Sequence, residues 1–145
     1  MEQRAVDQLR TIARINRSYP DFQMSSSERL ERWAEILELN PDRSLSTFRE
    51  TEYQPDEIRA AMRGDGTAIA VAFGDPILRA AGMRDDTYGE ARRFFELSDR
   101  QLHKLVCFCH FGAHVSASTV AHQVRSIATR RSSGTLAYLA SFFRR

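Results

Sequence analysis

The 145-residue chain is poor in cysteine and has no long hydrophobic run, and each shortage excludes a class of protein. Cys107 and Cys109 are the only cysteines and one residue separates them, so no framework of disulfide bridges can be built. Outside the C-terminal region, no uncharged stretch is longer than residues 66–74, which is far too short to span a bilayer. The first four residues are not followed by an apolar segment, so no secretory signal is predicted. We therefore expect a cytoplasmic protein with reduced thiols.

Acidic residues are absent after Asp99, although seven basic residues follow it. The net charge of the whole chain is only +2, but residues 1–66 carry −3 and residues 67–145 carry +5. Lys104 is the only lysine, and arginine suits bidentate contact with phosphate or carboxylate. This asymmetry predicts an anionic partner for the C-terminal third. A GC-rich genome that encodes arginine in place of lysine would explain the arginine content without any ligand.

The composition and the spacing of apolar residues predict an all-α fold in a single domain, residues 1–145. A hydrophobic content of 42% and a charged content of 28% are typical of globular proteins. A domain of this length buries about 70% of the surface of its unfolded chain, so it needs no metal or disulfide for stability. Apolar residues recur at helical spacing between Ser, Gly and Pro stops. The pattern indicates an irregular bundle of seven or eight short helices.

Two capping boxes mark the clearest helix starts. Ser25 with Glu28 opens a helix, and Ser98 with Gln101 opens a second one that is predicted to run to Phe111. A further helix is predicted before them, over residues 2–17. The inward-facing residues of the helix after Ser25 are Leu30, Trp33, Ala34 and Leu37.

Other segments are shorter or more ambiguous. Leu45 and Phe48 are predicted to anchor a short connecting turn or helix. Every second residue of the segment 67–73 is alanine, an alternation that fits a strand. Three alanines in seven residues and the lack of a partner strand favour a buried helix instead. Ser116 or Ser118 is predicted to start a helix. Residues 132–134 are predicted to be a hinge, so that residues 132–145 would be a hinged unit with a last helix from Leu136 to Phe143.

The segment from Leu102 to His114 is the most unusual in the chain. His103, Cys107, His110 and His114 recur at helical spacing and would form one stripe of an α-helix. Imidazole and thiolate are natural ligands of zinc and other transition metals. A straight stripe of four spans about 16 Å, so at most two or three could meet one ion. A metal- or thiol-based sensor is therefore one alternative function. The stripe also has an explanation without a ligand, in which Cys107 is buried and packs as a small apolar residue.

A helix-turn-helix is a second alternative. Residues 97–131 are predicted to form a helix, a glycine turn and a second helix, and the stretch from Val115 to Val120 looks like the start of a recognition helix in bacterial regulators. Hydroxyl side chains there would contact phosphates, and glutamine or arginine would reach base edges. The residues predicted to bind nucleic acid or another anion are Ser118, Thr119, Gln123, Arg125, Arg130 and Arg131.

The last helix is predicted to contact a partner. It is apolar on most of its sides, which is typical of a buried helix, and because it is terminal it would be buried against its own domain or another molecule. The two arginines that end the chain leave a membrane surface as a further option. The residues predicted for partner contact are Leu136, Leu139, Phe142 and Phe143.

The function that the sequence favours is binding, as a regulatory or adaptor module. No G-x-S-x-G, P-loop or dinucleotide-binding glycine pattern is present, although an enzyme stays an open alternative. A protein partner or self-association is predicted, with nucleic acid as the alternative partner of the basic C-terminal third. No cofactor is firmly implied, but zinc or another transition metal would suit the Cys/His stripe.

Overall fold

A computed structural model describes residues 24–48, 54–107 and 112–143, with side chains as far as residue 131. The described part of the chain is mostly helical and contains seven helices and two strands. The helices are α1 (Ser26–Glu38), α2 (Asp56–Ala61), α3 (Ala68–Phe73), α4 (Pro76–Ala80), α5 (Tyr88–Phe95), α6 (Asp99–Val106) and α7 (Ala117–Phe143). The strands are β1 (Ser44–Ser46) and β2 (His114–Ser116). The helix predicted over residues 2–17 lies outside the described residues.

The prediction of an all-α fold needs one correction, which is a small antiparallel sheet. β1 pairs with β2, with Leu45 opposite Val115 in the register. Leu45 therefore lies in a strand and not in the predicted turn or helix. After the strand, Thr47 N–H donates to Ala113 O at 3.2 Å, and Phe48 forms a separate parallel bridge to Cys107 in which its N–H donates to Val106 O at 2.7 Å. Strands of three residues are too short to show the alternation that reveals a strand in a sequence.

Helix α1 forms as its capping box predicts. Ser25 Oγ accepts the Glu28 N–H at 3.1 Å, and the Glu28 carboxylate accepts the Ser25 N–H at 3.2 Å. These two bonds satisfy backbone donors that a helix start otherwise leaves open. The predicted inward face is confirmed, because each of its four residues is at most 1% exposed.

Trp33 lies at the centre of the core. Its ring stacks on Phe95 of α5 with centroids 4.4 Å apart and planes 13° from parallel. Its indole Nε1–H donates to Ala68 O at the start of α3, at 2.9 Å. One side chain therefore joins three helices and leaves no polar group of its own unsatisfied.

Helix α3 confirms the predicted helix over residues 67–73. Thr67 is its N-cap, with Oγ1 accepting the Ile69 N–H at 3.2 Å. Ala68, Ile69 and Ala72 are buried, and small alanine side chains allow the helix to approach its neighbours closely.

The C-terminal end of α5 is held by arginines from two other helices. Arg29 of α1 donates to Phe94 O at 2.8 Å, and its guanidinium lies 4.4 Å from the centre of the Phe94 ring. Arg131 of α7 donates to Phe95 O at 2.7 Å and also to Glu96 O. The end of a helix carries partial negative charge, so two cations there stabilise it. The contacts also tie α1, α5 and α7 together.

Helix α7 corrects the expectation of short helices only. It has 27 residues, and its contact with α1 is the most extensive contact between two described elements. It begins at Ala117, between the two predicted starts, and it passes through residues 132–134 without an interruption. The predicted hinge at those residues, and the division of the chain there, stay predictions.

No helix within the described ranges is both long enough and apolar enough to cross a membrane.

The crossing of α2 and α5 generates a stability prediction. A Cβ added to Gly89 would lie 2.9 Å from both Cβ and O of Ala60. We expect Gly89→Ala to lower the free energy of unfolding by about 1–3 kcal/mol, because the two helices must move apart. Urea denaturation measures the change.

Gly74→Ala is the matched control. A Cβ at Gly74 would meet nothing closer than 3.4 Å, and the residue has an ordinary helical φ of −70°. Its stability should stay within about 1 kcal/mol of the wild type. Equal stabilities for the two variants would contradict the close crossing.

Candidate functional site

A cleft of about 670 Å³ separates the exposed sides of α6 and α7. We call it the α6–α7 cleft. Its lining combines basic and neutral polar side chains with two apolar ones and contains no acidic residue. The lining residues are Ser98, Arg100, Gln101, Lys104, Leu105, Gln123, Ser126, Ile127 and Arg130.

One wall of the cleft is α6, which the predicted capping box starts. Ser98 Oγ accepts the Gln101 N–H and Gln101 Oε1 accepts the Ser98 N–H, each at 3.0 Å. The helix buries Leu102, Leu105 and Val106 in the core. Arg100 and Lys104 are one helical turn apart on the opposite side, so both extend into the cleft.

Asp99 fixes the start of α6 against two other helices. Its carboxylate accepts from Arg59 of α2 at 2.7 Å and from the Tyr88 hydroxyl of α5 at 3.0 Å. Burial alone would raise the pKa of Asp99, but these two hydrogen bonds and the positive charges of Arg59 and Arg92 together hold the pKa below its ordinary 3.8. Burial, with Cys107 and Asp99 nearby, raises the pKa of Tyr88. The Tyr88 hydroxyl therefore stays protonated and donates a hydrogen bond to the Asp99 carboxylate.

The other wall is α7. Its buried face packs in the core, and Gln123, Ser126 and Arg130 extend into the cleft on another side. The Ser126 hydroxyl donates to His122 O at 3.1 Å, and Arg130 Nε donates to Ser126 O at 3.3 Å. The buried residues of α7 up to residue 131 are Ala117, Val120, Ala121, Val124, Ile127 and Ala128.

The three cations of the cleft have no carboxylate partner within the part of the chain that the structure describes. Arg100 and Lys104 on α6 and Arg130 on α7 are all exposed. Nearby arginines differ from them, since Arg125 binds Glu38 through two bonds of 2.6 and 2.8 Å and Arg131 binds backbone carbonyls. The cleft is therefore a local concentration of positive charge that an anion could neutralise.

The structure brings together two of the six residues predicted to bind an anion. Gln123 and Arg130 line the α6–α7 cleft, whereas Arg125 and Arg131 are engaged by other parts of the protein. Ser118 and Thr119 are exposed at the start of α7. Ser116 Oγ, in the strand before them, lies 3.2 Å from Ser118 Oγ and 2.8 Å from Thr119 Oγ1.

The predicted glycine turn of a helix-turn-helix is wrong. Residues 107–116 separate α6 from α7, and they include strand β2. Backbone groups at the start of α7 are also bound by the loop after α1, because Ala117 N–H donates to Arg43 O at 2.9 Å and Ser118 N–H donates to Pro41 O at 3.0 Å. A recognition helix follows the first helix after a short turn, and here strand β2 lies between the two helices.

The predicted Cys/His stripe does not lie on one helix. Helix α6 ends at Val106 and not at Phe111, and Cys107 is extended with φ −96° and ψ 152°. His103 is helical, His114 is in β2, and His110 lies outside the described residues. Cys107 is buried and bridges to Phe48, so its backbone belongs to the edge of the sheet region. Within the described ranges, no three His, Cys, Asp or Glu side chains lie close enough together to hold a metal ion.

The residues predicted for partner contact are all in the last part of α7. Leu136, Leu139, Phe142 and Phe143 are helical, and their side chains are outside the described part of the structure. Their partner role stays a prediction.

Sequence reasoning missed the α6 wall of the cleft. Arg100 and Lys104 were counted in the charge asymmetry, but they were not assigned to a site. The available signal was their spacing of four residues on a helix after which no acidic residue occurs. That α7 faces them could not be predicted, because it depends on how the helices pack.

The contacts of Asp99 predict a pH dependence of stability. A carboxylate with a lowered pKa in the folded state adds stability above its unfolded pKa, and this is lost as the pH falls through the folded value. We expect Asp99→Asn to lower the urea midpoint at pH 6 and to lower it much less at about pH 3.

Glu31→Gln, at an exposed position of α1, is the control for removing a carboxylate. Its effect on the midpoint should be small at both pH values. An Asp99→Asn effect of equal size at pH 6 and pH 3 would show that the carboxylate charge is not what holds α6.

The chain was also compared with known proteins. No family model matches it, and neither the curated proteins nor the solved structures give a significant match.

Proposed function

We propose that this protein acts by binding, as a regulatory or adaptor module, and that it receives an acidic region of a protein partner in the α6–α7 cleft. The observation that supports the proposal is the set of three cations, Arg100, Lys104 and Arg130, without a carboxylate partner among the described residues. Among the other arginines that the structure describes, most bind carboxylates, backbone carbonyls or an aromatic ring of the fold. Arg32 binds Asp75 and Arg59 binds Asp99, for example.

A partner would gain both charge and contact in the cleft. The cations attract an acidic surface over a distance of about 8–10 Å at physiological salt. Leu105 and Ile127 form the apolar floor, and the amide groups of Gln101 and Gln123 offer neutral hydrogen bonds. Charged groups at the edge and less polar groups below are typical of protein-binding surfaces. Such a function fits a cytoplasmic protein, and we propose that location.

The nucleic-acid alternative has less support. Only Arg130 and Gln123 of its predicted residues line the cleft. The backbone N–H groups of residues 117 and 118, which could bind a DNA phosphate at the start of α7, already bind carbonyls of the loop that contains Pro41 and Arg43. The sensor alternative also stays a proposal. It predicts that purified protein carries a transition metal and that Cys107→Ser removes it, which elemental analysis measures.

Binding of poly-glutamate tests the proposed function. We expect the labelled polymer to bind the wild-type protein and the affinity to fall as salt is raised, because cations and carboxylates supply the attraction. The double variant Arg100→Gln/Lys104→Gln should bind at least about tenfold more weakly, measured by fluorescence anisotropy.

The double variant Arg43→Gln/Arg84→Gln is the matched control, because it also removes two positive charges and both residues are exposed and lie outside the cleft. Its affinity should stay within about twofold of the wild type. If the two double variants lose affinity equally, the attraction comes from net charge and the cleft is not the site. Tighter binding of duplex DNA than of poly-glutamate would favour the nucleic-acid alternative.

A further inference from the structure

The α6–α7 cleft offers hydrogen-bond donors more than acceptors. Arg100, Lys104 and Arg130 can only donate. Gln101 Oε1 already accepts the Ser98 N–H, so the Gln101 amide has its NH₂ group left to donate. Ser98 Oγ already accepts the Gln101 N–H, and its hydroxyl hydrogen remains. A ligand that satisfies this lining must be rich in acceptor atoms.

The charge of the cleft also exceeds what one carboxylate would neutralise. A carboxylate has one charge and two oxygens in a plane, and a single guanidinium can satisfy both oxygens. A phosphomonoester carries about 1.5–2 negative charges at neutral pH and three strong acceptor oxygens in a tetrahedral arrangement. The cleft places cations on two facing helices, Arg100 and Lys104 on one and Arg130 on the other. Donors on opposite sides suit a tetrahedral group better than a planar one.

We infer that the α6–α7 cleft recognises a phosphoryl group that a partner polypeptide presents. The inference rests on the proposed function and names the chemistry of the partner at the same site. Arginine clusters are a recurrent means of binding phosphorylated segments. A cleft of about 670 Å³ holds the phosphoryl group and leaves space beside Gln123 and Ser126 for the residues that flank it.

The cations of the cleft do not continue into a track along α7, which favours a polypeptide over a nucleic-acid backbone. A nucleic acid carries charge at short, regular intervals and needs a continuous track of cations. The other two described arginines of α7 are engaged in the fold, because Arg125 binds Glu38 and Arg131 binds backbone carbonyls. Glu31 and Glu35 are exposed on the same helix as Glu38, so the side of α7 opposite the cleft carries acidic groups that repel a long polyanion. A single phosphoryl group in the cleft avoids them.

Labelled pentapeptides test the inference. One has phosphoserine at the centre of four glycines, the second has glutamate there, and inorganic phosphate serves as a competitor. We expect the phosphoserine peptide to bind at least about tenfold tighter than the glutamate peptide, and inorganic phosphate to compete with it more weakly than the unlabelled phosphopeptide does. Arg130→Gln should weaken phosphopeptide binding about tenfold, and Arg43→Gln should leave it within about twofold.

Each other outcome has a distinct meaning. Equal binding of the two peptides would overturn the phosphoryl assignment, and the proposed function would survive if poly-glutamate binding still depended on Arg100 and Lys104. If neither peptide nor poly-glutamate binds through the cleft, both the inference and the proposed function fail. Inorganic phosphate that binds as tightly as the phosphopeptide would overturn presentation by a polypeptide. Binding of duplex DNA that is tighter than that of the phosphopeptide and depends on Arg130 would also overturn presentation by a polypeptide.

Discussion

The burial of Trp33 is the constraint on which the arrangement of the helices depends. The ring stacks on Phe95, and its N–H bonds to Ala68 O, so α1, α3 and α5 meet at one side chain. Removing a buried tryptophan costs about 3–5 kcal/mol, a large part of the stability of a domain. Arg131 then joins α7 to the end of α5 through the Phe95 carbonyl. These contacts fix the side of α7 that faces α6, and the cleft between them follows from that orientation.

The electrostatics of the fold explain why positive charge accumulates in the α6–α7 cleft. The chain is nearly neutral overall, and the fold pairs carboxylates of its first two thirds with arginines from distant segments. Arg125 on α7 is paired in this way, because it binds Glu38 on α1. Arg100, Lys104 and Arg130 extend into the cleft on the other side of α7, where the described surface supplies no acid. Three of the seven basic residues that follow Asp99 in the sequence thus line one cleft.

The sequence predicted helices with strong local signals and failed where distant contacts decide. The capping boxes at Ser25 and Ser98 and the alanine-rich α3 depend on neighbouring residues, so they could be predicted. The strands could not, because each has three residues and forms only by pairing across about 70 residues of chain. A separate bridge to Phe48 holds Cys107 in extended backbone where α6 ends, so the continuous helix that the Cys/His stripe required does not form. For the site, Gln123 and Arg130 were predicted, but their separation from Arg125 depends on tertiary packing.

One group of arginines in this fold is available to an anion and another group is not. Nuclear magnetic resonance of the arginine Nε–H groups during a titration with inorganic phosphate, at constant ionic strength, measures this for each residue. We expect the Arg100 and Arg130 resonances to shift together along one saturable curve, whereas those of Arg125 and Arg131 keep their positions because Glu38 and the α5 carbonyls hold the side chains. Small, equal and unsaturable shifts of all four resonances would contradict this expectation.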